Sequence, residues 1–289
     1  MLEKVKSLVM LSAPQKIDRT LRTMTANWRL TPDFLVIGGQ KCGTTSLYQY
    51  LISHPFIISA MKKQMHFFDN HFEKGITWYQ SHFPSYLYKH YFKQIHKQDF
   101  ITGEATPYYI FHPLAAKRVA QYLPNAKFVL LIRNPVERSY SHYHHEKRKG
   151  TETLSFEDAI AKEEERLAGE KEKMIANGNY YSFNYQRYSY LARSRYYEQL
   201  TEWFSYFPQE RFFIVKSEDM YKNTVDIVKN IFNFLQLPEF PEFKIEKDQY
   251  YNVGKYDKMN SATREKLVEY FKPHNENLYK LLNRDFDWH

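Results

Sequence analysis

A lysine set among glycines and followed by three hydroxyls, Gly38-Gly39-Gln40-Lys41-Cys42-Gly43-Thr44-Thr45-Ser46, is the stretch of this chain best equipped to hold a phosphate. The N–H groups of a glycine-rich turn converge on an anion at a helix N-terminus, an ammonium adds charge, and hydroxyls add donors. In the nucleotide triphosphatase loop, GxxxxGK[ST], the lysine follows the last glycine. Here Lys41 precedes Gly43. An ordinary strand-to-helix turn would produce a similar pattern, so the loop by itself gives an expectation of anion binding and no more. A second group, Arg133 and Ser141, lies where another apolar run breaks into a helix. A guanidinium fork with a hydroxyl nearby suits a second phosphate. An ion pair between Arg133 and Glu137 would account for the arginine equally well.

These residues need rigid elements to place them. Phe34 to Ile37, Lys127 to Ile132 and Arg211 to Lys216 read as buried strands, with a shorter one ending in Thr102-Gly-Glu-Ala-Thr-Pro107. Helical spacing covers Thr44 to Ile52, Ala115 to Leu123, Tyr196 to Phe207, Val225 to Leu235 and Ala262 to Leu282. Pro135 suits the first turn of a further helix. Leu154 to Asn177 reads as one charged, solvated helix opened by Ser155 as N-cap, with Asp158 completing the cap. The aromatic-rich stretch from Ser59 to Phe92 reads as irregular. Strand, loop and helix alternate, which predicts an α/β fold: a single domain with a central parallel sheet flanked by helices. Residues 1–30 read as an arm packing on a domain of residues 31–289.

Composition bounds the function. Lys and Arg outnumber Asp and Glu by 41 to 33, a formal net charge of +8, which suits an anionic cofactor, an anionic substrate or nucleic acid. Cys42 is the single cysteine, so no intrachain disulfide is possible, and small-residue packing explains it better than redox chemistry. No stretch reaches the ~18 apolar residues of a membrane span. The first residues lack the apolar core and cleavage site of a secretion signal. A cytoplasmic protein of undetermined oligomeric state is expected.

Taken together, the two anion-binding segments resemble those of the sulfotransferases that use 3′-phosphoadenosine 5′-phosphosulfate (PAPS), a family of P-loop-like strand-loop-helix fold. Gly39-Gln-Lys-Cys-Gly-Thr-Thr-Ser-Leu47 is similar to its 5′-phosphosulfate loop, and Leu131-Ile-Arg-Asn-Pro-Val-Glu-Arg-Ser-Tyr-Ser141 to its 3′-phosphate segment. The resemblance runs on through His66-Phe-Phe-Asp69, Gly103-Glu-Ala-Thr-Pro107, Ser217-Glu-Asp219 and Gly254-Lys-Tyr256, and is closest to the heparan-sulfate-type and bacterial small-molecule branch. It implies transfer of a sulfuryl group, leaving 3′-phosphoadenosine 5′-phosphate (PAP), without a metal. It implies donor binding by Gln40, Lys41, Cys42, Gly43, Thr44, Thr45 and Ser46, by Arg133 and Ser141, and by Gly254 and Lys255 in a closing loop. Lys41 would stabilise charge growing on the leaving phosphate.

The heparan-sulfate-type branch carries a catalytic glutamate where this chain has Gln64, and an amide cannot take a proton from the acceptor. His66 and Glu104 are the substitutes, the first by its natural titration range and the second by a pKa that burial would raise. Ala105 stands where the branch often has a lysine, a helper that Lys62 or Lys63 would replace. Gln64, His145, Tyr181 and Tyr185 are candidates for acceptor contact. His142 and His145 share a helix face, but a zinc site needs a third ligand, which the sequence does not place in register.

The acceptor atom would be a hydroxyl, or an amine or guanidinium nitrogen, of a small polar metabolite or sugar. Two other classes compete. A P-loop nucleotide kinase predicts a lysine after the second glycine and a strand-terminal aspartate for magnesium, and neither is present. A basic nucleic-acid-binding protein without catalysis predicts cations gathered on one face with spaced aromatics. The cations here are dispersed among acidic neighbours.

Overall fold

Phe34–Gly38 (β1) is a strand whose residues are all buried, and its side chains divide between two aromatic-rich cores. Leu35 and Ile37 enter one core, Phe34 and Val36 the other, as the two-residue period of a strand requires. Both faces of the sheet are therefore covered, which is why its strands read as unbroken apolar runs. The other strands are Ile57–Ser59 (β2), Ile101–Ala105 (β3), Lys127–Ile132 (β4) and Phe212–Lys216 (β5). All pair in parallel, in the order β2-β3-β1-β4-β5. The chain leaves β1 toward one edge, returns to β3, then crosses to β4. The sheet order thus diverges on either side of β1, and the carboxyl ends of β1 and β4 open a crevice there. This computed structural model describes residues 15–241, 243 and 256–288, with side chains from residue 20 onward.

The Thr44–Ile52 helix, β4 and the Pro135 helix start fall where the pattern puts them. Asn134 caps the Pro135–Arg148 helix by accepting from the Val136 and Glu137 amides at 3.0 and 3.3 Å. Three expectations need correction. The stretch expected to be irregular begins on the last residue of β2, contains the helix Gly75–Gln80 and ends inside the helix Tyr86–His96. The helix expected from Leu154 to Asn177 is three short ones, Phe156–Ala161, Glu163–Leu167 and Glu170–Ala176. Gly169, at φ 72°, marks the last break. Nor is this region fully solvated, because the Glu163 carboxylate turns inward and accepts from the Leu191 and Ala192 amides, both at 2.7 Å. Burial pushes its pKa up to about 7. The Ser155 cap is present and reciprocal with Asp158.

Candidate active site

The loop after β1 turns through two left-handed residues, Lys41 at φ 71° and Gly43 at φ 93°. A Cβ on Gly43 would lie 2.8 Å from the Tyr221 hydroxyl, so both conformation and space demand glycine. For lysine that conformation is uncommon, and such residues concentrate at functional sites. The turn puts Lys41 at the mouth of β1 and starts the next helix at Thr44. At the end of neighbouring β4, Arg133 emerges as the helix begins, and Glu137, Ser141, His145 and Arg148 follow one another along one face of it. That face and the β1 loop border one cavity of about 800 Å³, lined by Gln40, Lys41, Gly43, Thr44, Thr45, Arg133 and Ser141 among others.

Burial lowers the Lys41 pKa, and the nearby charges of Arg148, Arg133 and Lys149 lower it further. The Arg133 guanidinium donates to the Lys41 carbonyl at 3.4 Å and stands 3.9 Å from Glu137. Glu137 is engaged more closely by Arg264, so the ion pair that would have explained Arg133 is a loose one.

Gln64 and His66 line the same cavity, both in left-handed backbone at φ 55° and 53°. His66 Nδ1 lies 2.7 Å from Asp69 Oδ2, and the Asp69 side chain is inaccessible to solvent. An Nδ1–H donated to that carboxylate leaves the lone pair on Nε2. Burial opposes charge on the ring, but the Asp69 hydrogen bond and charge outweigh it, and the His66 pKa is raised.

Glu104, the other candidate base, does not reach the cavity. It is 0% exposed and accepts three hydroxyl hydrogen bonds, from Tyr79 at 2.9 Å, Tyr109 at 2.8 Å and Thr106 at 2.7 Å. Burial raises its pKa as expected, but the carboxyl is a structural hub. Glu104→Ala strands three buried hydroxyls and lowers stability by about 3 kcal/mol, measurable as a denaturant midpoint shift.

Other candidates divide similarly. The side chains of Cys42 and Ser46 are buried and off the cavity, leaving only their backbone to the loop. Burial pushes the Cys42 thiol up, away from reactivity. His145 lines the cavity, and burial, followed by Lys41 and Lys149, holds its pKa down at about 4. Neither Tyr181 nor Tyr185 lines it. Tyr181 is solvent-exposed, and Tyr185 is stacked on Phe111 with centroids 4.5 Å apart. Gln186 and Arg187, the next two residues, are the ones that do.

Lys62 and Lys63 are also off the cavity, and the additional cations come instead from Arg148, Lys149, Arg187 and Arg193. Of these, Arg148 was within reach of sequence reasoning, since it continues the helical face of Ser141 and His145. Arg193 carries no such signal. Gly254 and Lys255 lie outside the described residues; the next residue, Tyr256, lines the cavity and stacks on His144 with centroids 4.4 Å apart. Among the described residues no group of three His, Cys, Asp or Glu side chains is arranged to hold a metal, and no helix is long and apolar enough to cross a membrane.

A sulfotransferase domain model matches residues 31–285. The chain belongs to the sulfotransferase domain family. This sulfotransferase is 32% identical to the membrane-associated sulfotransferase kil1 of Dictyostelium discoideum, over 89% of its own length and 66% of that relative. It is 28% identical to the bifunctional heparan sulfate N-deacetylase/N-sulfotransferase 1 of Caenorhabditis elegans, over 88% of its length and 30% of the larger protein. The chain thus spans less than two thirds of these relatives. Among solved structures, a sulfotransferase from Alicyclobacillus acidocaldarius superposes with a TM-score of 0.65 at 28% identity, covering 90% of this chain and 99% of the other.

Proposed function

We propose that this sulfotransferase moves the sulfuryl group of PAPS to a hydroxyl of a small polar metabolite or sugar that itself carries negative charge. The supporting observation is that one cavity joins Lys41, Thr44 and Thr45 from the β1 loop with Arg133 and Ser141 from the β4 segment. A nucleotide with phosphate at both its 3′ and 5′ positions fits two such grips, whereas a single phosphate chain needs one. PAPS supplies an activated sulfuryl group on its 5′-phosphate.

Lys41, Thr44 and Thr45 would hold that end, Arg133 and Ser141 the 3′-phosphate, and Gly254 and Lys255 would close over it. The Lys41 ammonium is placed where negative charge develops on the leaving phosphate. His66 receives the acceptor proton at Nε2 while Asp69 fixes the opposite ring nitrogen. Arg148, Lys149, Arg187 and Arg193 bear on the acceptor. Of the two carboxylates in the wall, Glu137 is paired with Arg264 and Glu218 accepts from the Asn134 amide at 2.9 Å through one oxygen, and both are outnumbered by Lys41, Arg133, Arg148, Lys149, Arg187 and Arg193. A cationic amine or guanidinium acceptor would meet net repulsion from this excess of positive charge, which favours a hydroxyl on an acid-bearing molecule. The relatives named for heparan sulfate support a sugar. A cytoplasmic setting, in which Cys42 stays reduced, belongs to the same proposal.

Thermal-shift titration with PAP tests the donor assignment. PAP raises the melting temperature of the parent protein, and Arg133→Ala weakens its binding by about 10- to 100-fold, as loss of charge-assisted hydrogen bonds implies. A parent protein that PAP does not stabilise would sink the assignment.

A further inference from the structure

Two arginines are enclosed beside the phosphate loop, and both hold Gln40. Arg138, 0% exposed, donates to the Gln40 carbonyl at 3.4 Å, to the Tyr190 carbonyl at 2.6 Å and to Ser194 Oγ at 2.5 Å. Arg193, 2% exposed, donates from Nη1 to the Gln40 side-chain oxygen and from Nη2 to the carbonyls of Tyr185 and Gln186 at 3.3 and 2.8 Å. Its guanidinium carbon lies 4.8 Å from the Tyr108 ring centroid and 4.9 Å from that of Phe111. Arg193 thereby touches three separate pieces of the cavity wall: the β1 loop, the segment after β3 and the Phe183–Arg187 helix.

Ion pairs near the cavity engage Arg133, His145, Lys149 and Arg187; among the described residues neither Arg138 nor Arg193 is in one. Their counter-charges, Glu163 for Arg138 and Glu146 for Arg193, act without an ion-pair contact; a buried cation so placed is unfavourable, and an anion arriving at the adjacent loop relieves that cost. The Phe183–Arg187 helix is one turn long, too short to be stable by itself, and relies on its Ser182 cap and on the two carbonyls that Arg193 grips. Gln186 and Arg187, on this helix, face the acceptor side of the cavity.

We infer that Arg193 is a positioning residue that couples occupancy of the Gln40–Thr45 loop to the order of the acceptor-side wall at residues 183–187. The coupling rests on the proposed function of the site. Donor binding fixes the loop, the loop fixes Gln40, and the planar guanidinium passes that restraint to the helix carbonyls. A lysine keeps the charge and loses the fork, so charge and geometry can be separated.

Hydrogen exchange at amides 183–187, measured with and without saturating PAP beside a calorimetric PAP affinity, tests this. In the parent protein PAP slows exchange there at least tenfold. Arg193→Lys still binds PAP within about tenfold of the parent but loses the slowing. Gln40→Leu, which leaves Arg193 and its carbonyl bonds in place, loses it as well and keeps the test decisive if substitutions at 193 fail to fold. Protection from exchange in the β4 amides reports that each variant is folded. PAP binding to the parent without slower exchange at 183–187 would overturn the coupling, as would full slowing in both variants. Failure of PAP to bind the parent at all would remove the donor assignment, and the coupling with it.

Discussion

Lys41→Ala lowers the rate of sulfuryl transfer by about 10²- to 10³-fold, the scale seen when one preorganised donor to a developing oxyanion is removed. On the proposed assignment the effect falls on the rate more than on binding, because Arg133, Ser141, Thr44 and Thr45, which line the same cavity, would still hold the nucleotide. The backbone contributes too: Lys41 sits at φ 71°, where the turn aims its side chain into the cavity. Single-turnover rates at saturating PAPS, set beside PAP affinity, separate the two quantities. A variant that loses affinity and keeps its rate would reassign Lys41 to ground-state binding.

His66→Ala lowers the rate by about 10²- to 10⁴-fold with PAP affinity preserved, the range for a positioned general base. Its pH dependence is more diagnostic. The base must be neutral to accept a proton, so activity is lost as pH falls through the His66 pKa. That pKa is raised by Asp69 against the opposing effect of burial, which sets the acid limb above the ordinary imidazole value of about 6.5. Asp69→Asn removes the charge and moves the limb downward while lowering the rate, since the ring loses its orientation as well. His145 is the other histidine on the wall nearest Lys41, and its pKa is held down at about 4. An acid limb near pH 4 that ignores Asp69→Asn would transfer the base role to His145.

The strands bearing the site were legible because both faces of the sheet are covered, which turns β1 and β4 into apolar runs that end abruptly at chemistry-bearing loops. Caps and punctuation worked for the same local reason: Pro135 and Ser155 act on their immediate neighbours. What failed was anything decided by distant contacts. Glu104 reads as a catalytic carboxylate at a strand end, yet besides the nearby Thr106 and Tyr109 hydroxyls it is enclosed by that of Tyr79, 25 residues away. The Leu154–Asn177 stretch has helical charge spacing, and it breaks because Glu163 is drawn inward by amides 28 and 29 residues on. Tyr185 is stacked on Phe111, a ring 74 residues away, and it is the next two residues, Gln186 and Arg187, that line the cavity.

Calorimetric titration of the parent protein with PAP and, separately, with ATP tests the donor assignment most directly. Two grips, one for each end of a nucleotide bearing phosphate on both sides of its ribose, predict that PAP binds at least tenfold more tightly than ATP without added magnesium. ATP binding as tightly as PAP, or more so, would contradict the assignment of Arg133 and Ser141 to a 3′-phosphate and the sulfuryl-transfer chemistry built on it.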